Sequence, residues 1–113
     1  MSKEKPKGIS EFPLTESSAR KIINELAENY TNRIRWSGHV KARMAERGVT
    51  ARQILTLLKS KRSVFREGPY EVPNGDWKFN IKGMAAGTVI ELTVVLKNHH
   101  DEPSSTLVTV WID

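Results

Sequence analysis

The stretch Trp77-Lys78-Phe79-Asn80-Ile81-Lys82 sets a large apolar side chain at every second position and a polar one between. Successive side chains of a strand point to opposite faces, so this alternation predicts a strand with one buried and one solvated face. The turn residues Pro73-Asn74-Gly75-Asp76 stand before it, separating it from an earlier strand that begins near Ser63. Downstream, Thr88 to Lys97 puts Ile90, Leu92, Val94 and Leu96 on one face, and Thr106 to Ile112 repeats the pattern with Val108, Val110 and Ile112. Short connections rich in Gly, Asn and Asp join these runs, so an antiparallel meander of four strands is expected.

Upstream of Ser63 the period is that of a helix. Ala19, Ile22, Ile23, Leu26, Ala27 and Tyr30 predict an amphipathic helix over residues 16–30, with Thr15 or Ser17 as its N-cap. Ser37 can cap a second helix running from Gly38 to Arg47, with Gly48 as its stop. Thr50-Ala51-Arg52-Gln53 has the form of a capping box, and Ile54, Leu55 and Leu58 supply the buried stripe of a third helix. The expected class is therefore α+β, with about three N-terminal helices covering the apolar face of the sheet. Residues 1–14 read as a flexible tail and residues 15–113 as one domain.

The chain has 113 residues, 38% of them apolar, enough for one modest core. With no cysteine, neither a disulfide framework nor a thiolate metal site is available. No apolar run is long enough to cross a bilayer, and Met1-Ser-Lys-Glu-Lys-Pro-Lys7 lacks the apolar segment of a secretory signal, so a cytoplasmic location is expected. The net charge of +5 is unevenly placed: from Arg33 to Arg66 ten cations face Glu46 alone, while residues 67–113 carry three cations and seven acids. An ordinary solvated surface mixes both signs, so this segment points to a polyanion as partner.

Within the second helix His39, Arg43 and Arg47 recur every fourth residue and form one stripe beside the apolar Val40 and Met44. A phosphodiester needs such groups: guanidiniums bind non-bridging oxygens and stabilise added negative charge, and an imidazole moves protons near neutral pH. On the sheet, Lys78, Asn80, Lys82, Glu91, Thr93 and Thr109 share the face opposite the apolar one, interrupted by Leu107, Val95 and Trp111. Lys78 and Lys82 there, with Arg35, Lys41 and an exposed Trp111 able to stack on a base, are candidate nucleic-acid contacts. His99-His100 is a poor metal signature without further ligands, and no phosphate-cradling glycine loop is present, so neither metal nor cofactor is expected.

The run from Trp36 to Ile54, with its His39, Arg43-Met44, Arg47-Gly48 and Thr50, resembles the opening of a family of small bacterial domains. Those domains finish on a strand similar to Leu107-Val-Thr109-Val-Trp111, so the resemblance covers roughly residues 33–112. That family resembles in turn the ribonuclease group of the barnase, EndoU, colicin and RelE type. The resemblance implies helices before a four-stranded antiparallel sheet and a metal-independent endoribonuclease that cuts tRNA or mRNA. A toxin restrained by an antitoxin or immunity protein is the usual setting of such an enzyme. It also implies His39, Arg43, Arg47 and Thr109 as site residues. The motif holds no second proton-transfer group; Glu67 and Tyr70, which lie outside it, are the candidates for that role. Two other classes fit the charge pattern: a non-catalytic nucleic-acid-binding module, and an interaction domain that docks an acidic protein.

Overall fold

The computed structural model describes residues 6–112. Helix α1 (Glu16–Asn29) is followed by a 3-10 turn (Thr31–Arg33), strand β1 (Ile34–Trp36), helices α2 (Gly38–Arg47) and α3 (Ala51–Lys59), and strands β2 (Val64–Glu71), β3 (Trp77–Ala85), β4 (Thr88–Lys97) and β5 (Ser104–Ile112). The strands form one sheet in the order β1-β5-β4-β3-β2. β2 through β5 pair antiparallel, whereas β1 lies parallel to β5, with Arg35 opposite Thr106.

The class is α+β as expected, but the four-stranded antiparallel sheet is corrected to a five-stranded mixed one. The architecture of the barnase, EndoU, colicin and RelE group, as the resemblance implied it, is corrected with it, since a strand also precedes α2 and α3. The missed element, Ile34-Arg35-Trp36, is too short to show a period of two, and its partner lies some seventy residues away in sequence. Pairing at such range is set by tertiary packing and leaves no local signal.

Capping explains the helix boundaries. Thr15 accepts the Ser18 N–H at the start of α1, and Thr50 and Gln53 complete a reciprocal capping box on α3. Gly48 ends α2 at φ 69°, the left-handed conformation that glycine adopts without a Cβ clash. α1 and α3 bury Ile22, Ile23, Leu26, Ile54, Leu57 and Leu58 against the sheet's apolar face, which carries Trp77, Phe79, Ile81, Ile90, Leu92, Val94 and Leu96. A Cβ at Gly83 would stand 2.7 Å from Leu57 Cδ1, so glycine there lets α3 lie close on β3. Gln53 Nε2 ties the same helix to the sheet by donating to the Ala85 carbonyl at 3.2 Å.

The pattern of β5 differs from strict alternation. A bulge falls between the pairs Thr93/Thr109 and Val94/Leu107, leaving Val108 without a partner residue on β4. Leu107, expected on the polar face, is fully buried, and Val108, expected in the core, is half-buried. One inserted residue reverses the facing of everything before it. Of the expected N-terminal tail, residues 1–5 lie outside the described residues. Residues 6–14 run across the end of the sheet, where Ile9 N–H donates to the His99 carbonyl at 2.7 Å and Leu14 is buried in the core.

Candidate nucleic-acid interface

Ser37 both caps α2 and pins it to the sheet. Its Oγ accepts the Val40 N–H at 3.0 Å and donates to the Val108 carbonyl at 3.1 Å, while its own N–H donates to the Leu107 carbonyl at 3.2 Å. Both carbonyls belong to the bulge of β5, so the first turn of α2 is fixed just before Thr109.

Val40 is the fully buried residue of α2 and sets its inward direction. At about 100° per residue, Arg47 lies roughly 20°, Arg43 roughly 60° and His39 roughly 100° to one side of Val40. The three therefore share one flank. Lys41 lies roughly 100° the other way and does not join them. Arg43 is 29% exposed and pairs weakly with Glu46 at 3.5 Å. Its Nε is shielded from solvent and has no hydrogen-bond partner among the described residues. A shielded donor left unmet is uncommon, because it loses water without replacement. His39 is exposed, and no hydrogen bond orients its ring among the described residues.

On the face of the sheet opposite the core, Thr93 alone of the paired, described residues is buried. Register places the residues of this open face in rows: Arg35, Thr106, Val95, Lys78 and Tyr70; then Thr109, Thr93, Asn80 and Glu67; then Trp111, Glu91, Lys82 and Val64. At its centre Thr93 donates to Asn80 Oδ1 at 2.8 Å, and Asn80 Nδ2 donates to Glu91 Oε2 at 3.4 Å. This network orders the polar neighbours of Thr109. Trp111 and Tyr70 stand out of the face, 36% and 43% exposed.

The sheet brings some candidates together and separates others. Thr109 shares β5 with Trp111 and lies beside the start of α2. Lys78 and Lys82 sit two strand spacings from β5, roughly 10 Å. Glu67 and Tyr70 sit three spacings away on the far edge, roughly 14 Å, too distant to exchange protons beside Thr109. Glu91, missed as a candidate, is diagonal to Thr109 on the adjacent strand, at about 7–8 Å between Cα atoms. Its signal was present in the alternation of β4, but only the pairing register shows which residue of β5 it approaches.

The basic segment does not form a single patch. Arg33 is structural: Nε donates to the Pro103 carbonyl at 3.0 Å and Nη2 to the Glu102 carbonyl at 2.8 Å. Lys59 and Lys61, at the end of α3, line a depression with Lys21 and Glu25 of α1, on the helical side of the sheet. His99 is likewise engaged in holding the N-terminal segment, with Nε2 3.1 Å from the Glu11 carbonyl and its ring edge-on to Trp77.

No protein-family model matches the chain, and neither a curated protein nor a solved structure is recognisably similar to it. Among the described residues no helix is long and apolar enough to cross a membrane, and no group of three or more acidic or histidine side chains could hold a metal ion.

Proposed function

We propose that the chain is a metal-independent endoribonuclease acting on tRNA or mRNA in the cytoplasm, the toxin of a bacterial pair restrained by an acidic antitoxin or immunity protein. The observation that supports this most is the attachment of Ser37 to the β5 bulge, which sets the start of the helix bearing His39, Arg43 and Arg47 next to Thr109 along β5. In the proposed reaction the RNA 2′-hydroxyl attacks the adjacent phosphorus. The bond to the 5′-oxygen breaks, leaving a 2′,3′-cyclic phosphate and a 5′-hydroxyl. His39 and Glu91 divide the two proton transfers, one accepting the 2′-hydroxyl proton and the other supplying the leaving oxygen. Arg43 and Arg47 stabilise the pentavalent phosphorane, and Thr109 orients the scissile group. Trp111 stacks on a base, while Lys78 and Lys82 attract the strand from farther across the face.

Incubation with total bacterial RNA in EDTA tests this. Discrete cuts ending in cyclic phosphate are expected, with His39→Ala slowing them by roughly 10²–10⁴-fold at unchanged Tm. Intact RNA, or cleavage by His39→Ala at the wild-type rate, overturns it. The free ring of His39 favours a second function, a non-catalytic single-strand RNA-binding module on the same surface. That module binds with steep salt dependence and yields no product.

A further inference from the structure

A groove of about 810 Å³ opens beside β1, at the corner of the open face, walled by Asn32, Arg33, Arg35, Lys97, Ser104 and Thr106. Among the described residues that line it there is no carboxylate. Arg33 is held there by two backbone carbonyls, which are neutral, so its position is fixed while no carboxylate among the described residues pairs with it. Its Nη1 has no partner among the described residues. Arg35 is exposed and stands directly across from Thr106, whose hydroxyl shares the groove. Lys97 contributes less, because Asp76 balances it at 3.2 Å. Two guanidiniums that pair with no carboxylate among the described residues, with adjoining hydroxyls, match the oxygens of a phosphodiester: charge on one side, donors on the other.

The groove is also continuous with the interface described above. Thr106 and Thr109 lie on the same face of β5, three residues or roughly 10 Å apart, and β1 leads directly into the cap of α2. One strand lying along β5 touches both places.

We infer that this groove is a second phosphate subsite, which holds the backbone of single-stranded RNA away from the scissile bond, with Arg35 as its main contact and Arg33 as its fixed charge. The inference rests on the RNA reading of the α2 flank. It adds a binding function at a site that takes no part in the chemistry, and it gives the strand a direction along β5.

The test is the affinity of the full chain for a labelled single-stranded oligoribonucleotide with 2′-O-methyl groups, which cannot be cleaved by 2′-attack, measured over a range of salt. Arg35→Gln is expected to weaken binding several-fold and to make the slope of log K against log salt shallower by about 0.7, the loss of one phosphate contact on a single strand. Lys61→Gln removes the same charge from the helical side and should leave that slope unchanged. Binding by the wild type that Arg35→Gln does not alter overturns the groove and leaves the α2 interface standing. If the wild type does not bind the oligonucleotide, the RNA reading falls. Titration with inorganic phosphate then separates the remaining cases: amide shifts at Arg35 and Thr106 mark a small-anion site in place of the inferred one, and no shifts dismiss the groove altogether.

Discussion

The two faces of the sheet are built from the same strands and differ in nearly everything else. On the covered face Phe79, Ile81, Leu92 and Val94 are fully buried beneath α1 and α3. On the open face, one residue along each strand, stand Lys78, Asn80, Lys82, Glu91, Thr93 and Thr109. Thr93 is as shielded as the core, only 3% exposed, and its hydroxyl is satisfied by Asn80. A hydrogen-bonded polar centre flanked by exposed Trp111 and Tyr70 contributes little to the core and is suited to meeting a polar, stackable partner. Stability therefore resides on the covered face, and the proposed recognition on the open one.

The largest effect expected from this division is on folding. Leu92→Ala should destabilise the protein by about 2–5 kcal/mol in urea denaturation, because it empties a fully buried site. Thr93→Val, at the next residue on the other face, should cost about 1 kcal/mol for its lost hydrogen bond. Equal losses at the two positions would break the contrast. An effect smaller than that of Leu92→Ala is expected for Trp111→Ala, which should weaken RNA binding by about 1–3 kcal/mol, the range of one base stacked on an aromatic ring, with little change in Tm. If folding suffered and binding did not, Trp111 would belong with the core.

The smallest effect lies at the end of the covered face, where residues 6–14 cross the sheet. The backbone N–H of Thr15, with a lesser contribution from Ser18, holds the Glu11 carboxyl below its usual range, and His99 adds a favourable charge. A carboxyl with a lowered pKa in the folded state stabilises that state above the unfolded pKa and loses the contribution as pH falls through the folded value. Tm should thus decline slightly below the ordinary carboxylate range, and Glu11→Gln should flatten that decline. An identical acid profile in the variant would remove Glu11 from the account.

The covered face was legible in the sequence because periodicity reports burial directly. The alternation of Trp77, Phe79 and Ile81 and the helical spacing of Ile22, Ile23 and Leu26 needed no tertiary information. What escaped was long-range. Ile34-Arg35-Trp36 becomes a strand only because Ser105 to Leu107 offers it a partner. The bulge at Val108 is invisible in an unbroken run of β-forming residues, and it exchanged the places of Leu107 and Val108. On the candidate site, the common flank of His39, Arg43 and Arg47 follows from helical geometry alone. The separation of Lys41 from that flank follows equally from its spacing to Val40, once Val40 is known to be the inward residue. The distance of Glu67 and Tyr70, the nearness of Glu91 and the structural role of Arg33 depend on strand order and loop contacts, which composition and charge do not encode.

The most direct test of an RNA site on α2 and β5 is to map amide chemical shifts on adding the 2′-O-methyl oligonucleotide. Shifts concentrated at His39, Arg43, Thr109 and Trp111, with Lys21, Lys59 and Lys61 on the helical side unmoved, are the predicted result. Shifts gathered instead around α1 and α3 would contradict it and show that the basic segment meets its partner on the opposite side of the molecule.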